Sequence, residues 1–214
     1  SADYVIRMQN GALRACRQQH YELLIHPCVY GAGNLRRELN DLVGRVRPTG
    51  IVLAAPLSNM AHVVDAIAET RTPLVCLSPG VETPDRPTVA TNDREVCAEM
   101  TRYLASLGHR QIAFVSGNPD HKAVSNRLPG YVDGLRQSAL KYAARLVVAG
   151  DNSVKSGEAA AESVLALAQP PTAIFAANDD MAAGTIHDAC EMGLSVPRDI
   201  SVCGFDDTPV SRQI

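Results

Sequence analysis

Pro171-Thr172-Ala173-Ile174-Phe175-Ala176-Ala177-Asn178-Asp179-Asp180-Met181-Ala182 is the stretch whose reading decides the fold. Four consecutive apolar residues, Ala173 to Ala176, follow a proline and run into an amide and two carboxylates of the kind that open helices. A strand that is apolar throughout must be covered on both faces, which is the habit of parallel sheets flanked by helices. The segment predicts a buried parallel strand followed by a helix that Asp179 can cap, a role open equally to Asn178. An echo lies 123 positions upstream, where Pro48-Thr49-Gly50-Ile51-Val52-Leu53-Ala54-Ala55 shows the same order of proline, threonine, small residue and aliphatic run.

Working outward, the same alternation fills the chain. Helical spacing is found at about 3–19, 33–46, 58–70, 92–107, 125–141, 155–168 and 179–192. Between these lie short aliphatic runs at Leu23–His26, Gly50–Ala54, Leu74–Leu77, Gln111–Val115, Leu146–Val148, Ala173–Ala176 and Ile200–Gly204. Gly108 and Gly193 stand where helices should close, and Asn92 where one should open. Gly11-Ala12-Leu13-Arg14 matches Gly134-Leu135-Arg136-Gln137 at the same offset of 123, and Leu74–Leu77 matches Ile200–Cys203 at 126. Two copies of a helix, strand, helix, strand unit are therefore expected, and chance matching of short segments is the alternative. The predicted fold class is α/β: two similar Rossmann-like lobes, parallel sheets flanked by helices, with a ligand cleft between them. Open sheets of this kind bind at the carboxyl ends of their strands. Polar residues stand there at Ser78, Asp151-Asn152, Asn178-Asp179-Asp180 and Asp206-Asp207, a set suited to a hydroxyl-rich small molecule.

Composition narrows the function. The 214 residues carry 20 basic and 23 acidic side chains, 46% apolar residues and 20% charged ones, so a sizeable core is available and no basic patch marks nucleic-acid binding by this chain alone. No apolar run approaches the roughly 20 residues that cross a bilayer, and residues 1 to 30 lack the pattern of a secretory signal. Six cysteines, at positions 16, 28, 76, 97, 190 and 203, are scattered without a CxxC pair and read as having no short-range histidine partner. They are expected to be reduced and mostly buried, which points to a cytoplasmic protein with no metal site and no cofactor. The histidines fall in no metal or hydrolase motif, and no glycine-rich phosphate loop follows a strand, so no catalytic residues are expected.

Three segments together carry a family resemblance: Leu107-Gly108-His109-Arg110-Gln111-Ile112-Ala113-Phe114-Val115-Ser116-Gly117, the Pro171–Ala182 stretch, and Val196-Pro197-Arg198-Asp199-Ile200-Ser201-Val202-Cys203-Gly204-Phe205-Asp206-Asp207-Thr208-Pro209. In order and spacing they closely resemble the lactose-repressor (LacI/GalR) family of bacterial transcription regulators, over essentially the whole chain. The resemblance implies a type I periplasmic-binding-protein-like effector core, homodimeric in the intact regulator, with no membrane association. It implies a first lobe at 1–91, lacking its opening strand, and a second at 92–214. The family's helix-turn-helix, through which operator DNA would be bound, is absent from this chain. The 139–145 connection is shorter than the family's usual one.

Carried over residue by residue, Arg127 in Arg127-Leu128-Pro129-Gly130-Tyr131 matches the family arginine that pairs with effector hydroxyls. Asn178 and Asp206 match further effector contacts. Ser78 stands where several relatives carry Asp, and Asn152 where relatives often place a stacking aromatic. Tyr4 is offered as a partial substitute for that platform, with Ala90 and Thr91 at the first crossover between lobes. The resemblance thus implies a small-molecule effector, most simply a sugar, whose binding moves one lobe against the other. The rival readings are a periplasmic sugar-binding protein of a transporter and a sugar-modifying enzyme on the same scaffold.

Overall fold

A computed structural model describes residues 2–29, 33–80, 86–119 and 121–214. Of the expected first lobe, residues 1, 30–32 and 81–85 lie outside this description. Helices and short parallel strands follow in the order α1 (Ala2–Gln18), α2 (Leu35–Val46), β1 (Ile51–Ala54), α3 (Ala61–Glu69), β2 (Leu74–Leu77), β3 (Thr88–Val89), α4 (Asp93–Ser106) and β4 (Ile112–Ser116), so the expected alternation is broken between α1 and α2 and between β2 and β3. Then follow α5 (Lys122–Ser125), α6 (Arg127–Gln137), β5 (Val147–Ala149), α7 (Val154–Leu165), β6 (Ala173–Ala176), α8 (Asp179–Glu191) and β7 (Ser201–Cys203). Every strand pair is parallel, in the orders β1-β2-β3 and β5-β4-β6-β7.

Contacts divide the chain into two compact units, each with one sheet: His26–Asp93 with Pro119–Asn126, and Ser1–Ile25 with Arg94–Asn118 and Arg127–Ile214. The change at 93/94 falls two residues after the boundary expected from sequence. Residues 1–25 group with the larger unit and 119–126 with the smaller. Helix α1 fully buries none of its described side chains, so its grouping follows from sparse contacts rather than from a core.

The larger unit is built on an aromatic centre. Phe114 on β4 stacks on Tyr131 of α6, centroids 5.0 Å apart, and meets Phe175 of β6 edge-on at 5.4 Å. The Tyr131 hydroxyl satisfies itself by donating to the Ile112 carbonyl at 2.8 Å. Helices α7 and α8 approach through glycines. A Cβ on Gly184 would lie 2.0 Å from the Val154 carbonyl oxygen, and one on Gly157 would lie 2.1 Å from that of Met181, so no side chain fits at either place. The smaller unit has an aliphatic core, Leu35, Leu39, Leu53, Val63, Val64, Ile67 and Cys76.

The internal repeat is realised as two adjacent parallel pairs, β1 with β2 around α3, and β6 with β7 around α8. Ile51 pairs with Leu74, whereas Ile174, its match in the repeat, pairs with Val202 rather than with the Ile200 that the sequence match assigns to Leu74. The slip is two residues, which preserves the face each side chain occupies.

Four expectations need correction. Leu23–His26 is no strand: a ladder requires a hydrogen-bonded neighbour, this segment finds none among the described residues, and Leu24 and Ile25 are 63% and 53% exposed. The helix expected at 125–141 is α6 alone, which begins at Arg127 after the separate short α5 and ends early because Ala139 turns left-handed (φ 55°) while Leu140 N–H donates back to the Leu135 carbonyl. Asp179 is not a cap, since Asn178 occupies the N-cap of α8. The cysteines are all free, but only Cys76 and Cys97 are buried; Cys190 is exposed and the others are half-buried. Gly108 and Gly193 do close helices with positive φ, at 99° and 82°. No helix among the described residues is long and apolar enough to cross a membrane.

Candidate functional site

The carboxyl ends of β4, β5, β6 and β7 lead into four polar turns, and a chain of hydrogen bonds crosses all of them. After β4, Asn118 N–H donates to Asn152 Oδ1 at 3.3 Å. Asn152, after β5, accepts on its carbonyl from Asn178 Nδ2 at 3.0 Å. Asn178, after β6, uses its Oδ1 to accept from Met181 N–H at 2.9 Å, which caps α8. Its neighbour Ala177 accepts through its carbonyl from Arg127 Nη1. Arg127 Nη2 then lies 3.4 Å from Oδ1 of Asp206, after β7. Thus Arg127, Asn152, Asn178 and Asp206, expected together from sequence, are brought together at one sheet edge.

Arg127 is the first residue of α6 and is only 6% exposed. A buried guanidinium needs compensation. It finds the Ala177 carbonyl, the Asp206 carboxylate and the face of Phe205, whose centroid lies 3.6 Å from the guanidinium carbon. Cation–π contact of this kind strengthens when water is excluded. The 3.4 Å ion-pair distance exceeds the roughly 2.7–2.9 Å of a tight charge-assisted bond.

The turn carrying Phe205 and Asp206 is held by Asp179, which was expected to cap the helix and to stand among the polar groups at the strand ends. Its buried Oδ2 accepts from Thr208 N–H at 2.6 Å and from the Thr208 hydroxyl at 2.9 Å. Gly204 makes this approach possible, because a Cβ there would stand 2.5 Å from Asp179 Oδ1. The Gly204-Phe205-Asp206-Asp207-Thr208 run held the signal for this role. Beneath the turn, burial together with the nearby Cys97 pushes the Cys203 thiol up to about 12, so it is an un-ionised packing group.

The remaining expected residues stand on other elements. Ser78 is buried just after β2, and its N–H donates to the Val89 carbonyl at 2.8 Å. Ala90 and Thr91 follow β3 directly and are exposed, with the Thr91 hydroxyl donating to Asp93 Oδ2. These three sit at one edge of the smaller unit's sheet. Tyr4 is on α1, 37% exposed.

Backbone geometry marks the same positions. Ser78 (φ 47°), Asn152 (φ 74°) and Asp206 (φ 103°) all have positive φ, as does Asp207 (φ 49°). Such conformations are uncommon outside glycine, and the cost is tolerated where the surroundings fix the turn.

A family profile described as the periplasmic binding protein-like domain matches residues 101–214. The chain is 36% identical over 174 residues to the probable HTH-type transcriptional repressor ExuR of Bacillus subtilis, covering 81% of this chain and 52% of that protein. It is 32% identical over 177 residues to the catabolite control protein A of Priestia megaterium, covering 82% and 53%. The chain therefore spans about half the length of these curated relatives. Among solved structures, a complex of the transcriptional regulator CelR with cellobiose superposes with a TM-score of 0.88 at 26% identity, covering 98% of this chain and 64% of that one. With its parallel sheets, its Gly-Phe-Asp-Asp-Thr-Pro turn and these relatives, the chain belongs to the periplasmic binding protein-like domain family and is a core domain of the lactose-repressor (LacI/GalR) type.

Proposed function

We propose that this chain is the effector-binding and dimerisation core of a bacterial transcriptional regulator, that its effector is a small sugar or sugar derivative, and that it performs no catalysis. The observation carrying this reading is the hydrogen-bonded belt across four strand ends, with a buried arginine held against a carboxylate and an aromatic face. A guanidinium fork, a carboxylate and two carboxamides offer paired donors and acceptors at fixed positions, which matches adjacent hydroxyls on a ring. In this reading Arg127, Asn178 and Asp206 grip neighbouring hydroxyls, with Asn152 beside them. Ser78, Tyr4, Ala90 and Thr91 supply further contacts.

The relatives' names as repressors favour this reading over a transporter's binding protein. The cellobiose bound by the structural neighbour is consistent with a saccharide ligand. Operator DNA would be bound through a helix-turn-helix outside these 214 residues, by a cytoplasmic homodimer. A ligand alters that binding only through its difference in affinity for two conformations of the core. The test is a thermal-shift screen of mono- and disaccharides on the intact protein, with Arg127→Ala as control. A saccharide that stabilises the wild type and not the variant supports the site. An equal shift in both overturns it, and conversion of the saccharide to product would favour an enzyme.

A further inference from the structure

The extended segment that fails to form a strand carries His26-Pro27-Cys28, and the first turn of α2 carries Glu38. The imidazole Nε2 lies 2.9 Å from Glu38 Oε1. One donor atom from each of the three residues falls within 4.8 Å of both others, and all three residues are half-buried. Cys28 also packs against the aliphatic core of the smaller unit, and its Sγ points back toward the His26 carbonyl at 3.9 Å. An ion pair between histidine and glutamate accounts for the first contact. It does not account for a thiol converging on the same point.

We propose that His26, Cys28 and Glu38 form a binding site for a divalent transition-metal ion of borderline softness, of which Zn²⁺ is the type. Imidazole, thiolate and carboxylate are the three ligand classes this ion takes, and together they disfavour Mg²⁺ and Ca²⁺, which prefer all-oxygen shells. Tetrahedral bonds of about 2.0–2.3 Å place ligand atoms roughly 3.3–3.7 Å apart. The present spread of up to 4.8 Å contracts to that through rotation of half-exposed side chains. Three protein ligands leave one position for water or an exogenous group. On binding, the Cys28 thiol loses its proton to solvent and the sulfur donates a pair to the ion, so the cluster becomes a clip joining residues 26–28 to α2. This site shares no residue with the proposed effector site, so each reading stands or fails separately.

The experiment is a Co²⁺ titration of chelator-stripped protein, followed by absorption. One equivalent is expected to produce a thiolate-to-cobalt charge-transfer band that Zn²⁺ abolishes by displacement. The band should vanish in Cys28→Ser and persist in Cys190→Ser, whose thiol is exposed and distant in sequence. His26→Ala and Glu38→Gln should each weaken Co²⁺ binding by at least about tenfold. Absence of a band in the wild type, its survival in Cys28→Ser, or unchanged affinity in both His26→Ala and Glu38→Gln would overturn the proposal. Far-UV circular dichroism on each variant separates loss of the site from loss of the fold.

Discussion

The inner strands of the larger sheet and the strands of the smaller arise from similar sequence patterns and are covered very differently, although the outer strands β5 and β7 have no fully buried residue. In the larger unit, β6 is buried at every residue and β4 at all but its last. In the smaller, β1 and β2 each have one buried residue of four, and Val52 is 56% exposed. The larger sheet is clamped by the Phe114, Tyr131 and Phe175 cluster, while the smaller unit's core among described residues is aliphatic. An apolar strand is a demand for cover, and the cover comes from elsewhere in the chain. The well-covered sheet is also the one whose edge holds a buried guanidinium, which fits the expense of burying charge without a fixed set of partners.

The largest effect expected is at that aromatic centre. Phe114→Ala should destabilise the protein by about 3–5 kcal/mol in urea denaturation, more than Ile67→Ala in the smaller core. Equal losses would mean that the two cores are equally consequential. Next comes the turn below the site: Asp179→Ala strips the Thr208 N–H and hydroxyl of their acceptor and should cost about 1–3 kcal/mol. Ligand affinity should fall with it, because Phe205 and Asp206 lose their anchor.

A pair of glycines tests cover directly. Gly184→Ala forces a methyl against the Val154 carbonyl and should lower stability by about 1–3 kcal/mol. Gly11→Ala on exposed α1, where nothing lies within 4 Å, should raise it by about 0.5–1 kcal/mol. Thermal melts showing the same sign for both would break the contrast between packed and unpacked helices.

The smallest effect concerns surface charge. A hydrogen bond from Arg94, with that residue's charge, holds the Asp133 carboxyl below the usual carboxylate range. Its folded value is therefore lower than its unfolded one. The stabilisation is complete above the unfolded value of about 3.9 and is lost as pH falls through the folded value. Wild type should exceed Asp133→Asn in stability near neutral pH, and the gap should close in acid. A gap independent of pH would remove the ion pair from the account.

Several features were legible in the chain itself. The β6 to α8 transition, most of the alternation of elements, the glycine helix stops and the repeat all follow from local residue type and spacing. Others were not. Asn178 and Asp179 are both good capping residues, and only the position of Thr208 decides that Asp179 turns away. Leu23–His26 has strand composition but no ladder partner, whereas Thr88-Val89 is too short to show a period and becomes β3 by pairing with β2. The positive φ values at Ser78, Asn152 and Asp206 leave no mark in composition. The cysteines read as having no histidine partner nearby, although His26 stands two residues before Cys28; the pair gains meaning only where α2 brings Glu38 beside it.

Sequence alone determined the α/β class, the place of most elements and the identity of the polar groups at the strand ends, because hydrophobic period and backbone preference act over a few neighbours. Tertiary structure alone decided which strand was covered, which register the second repeat took, and which amide became a cap. Those outcomes depend on competition between groups up to 79 positions apart, as with Arg127 and Asp206, and no local pattern encodes which partner wins.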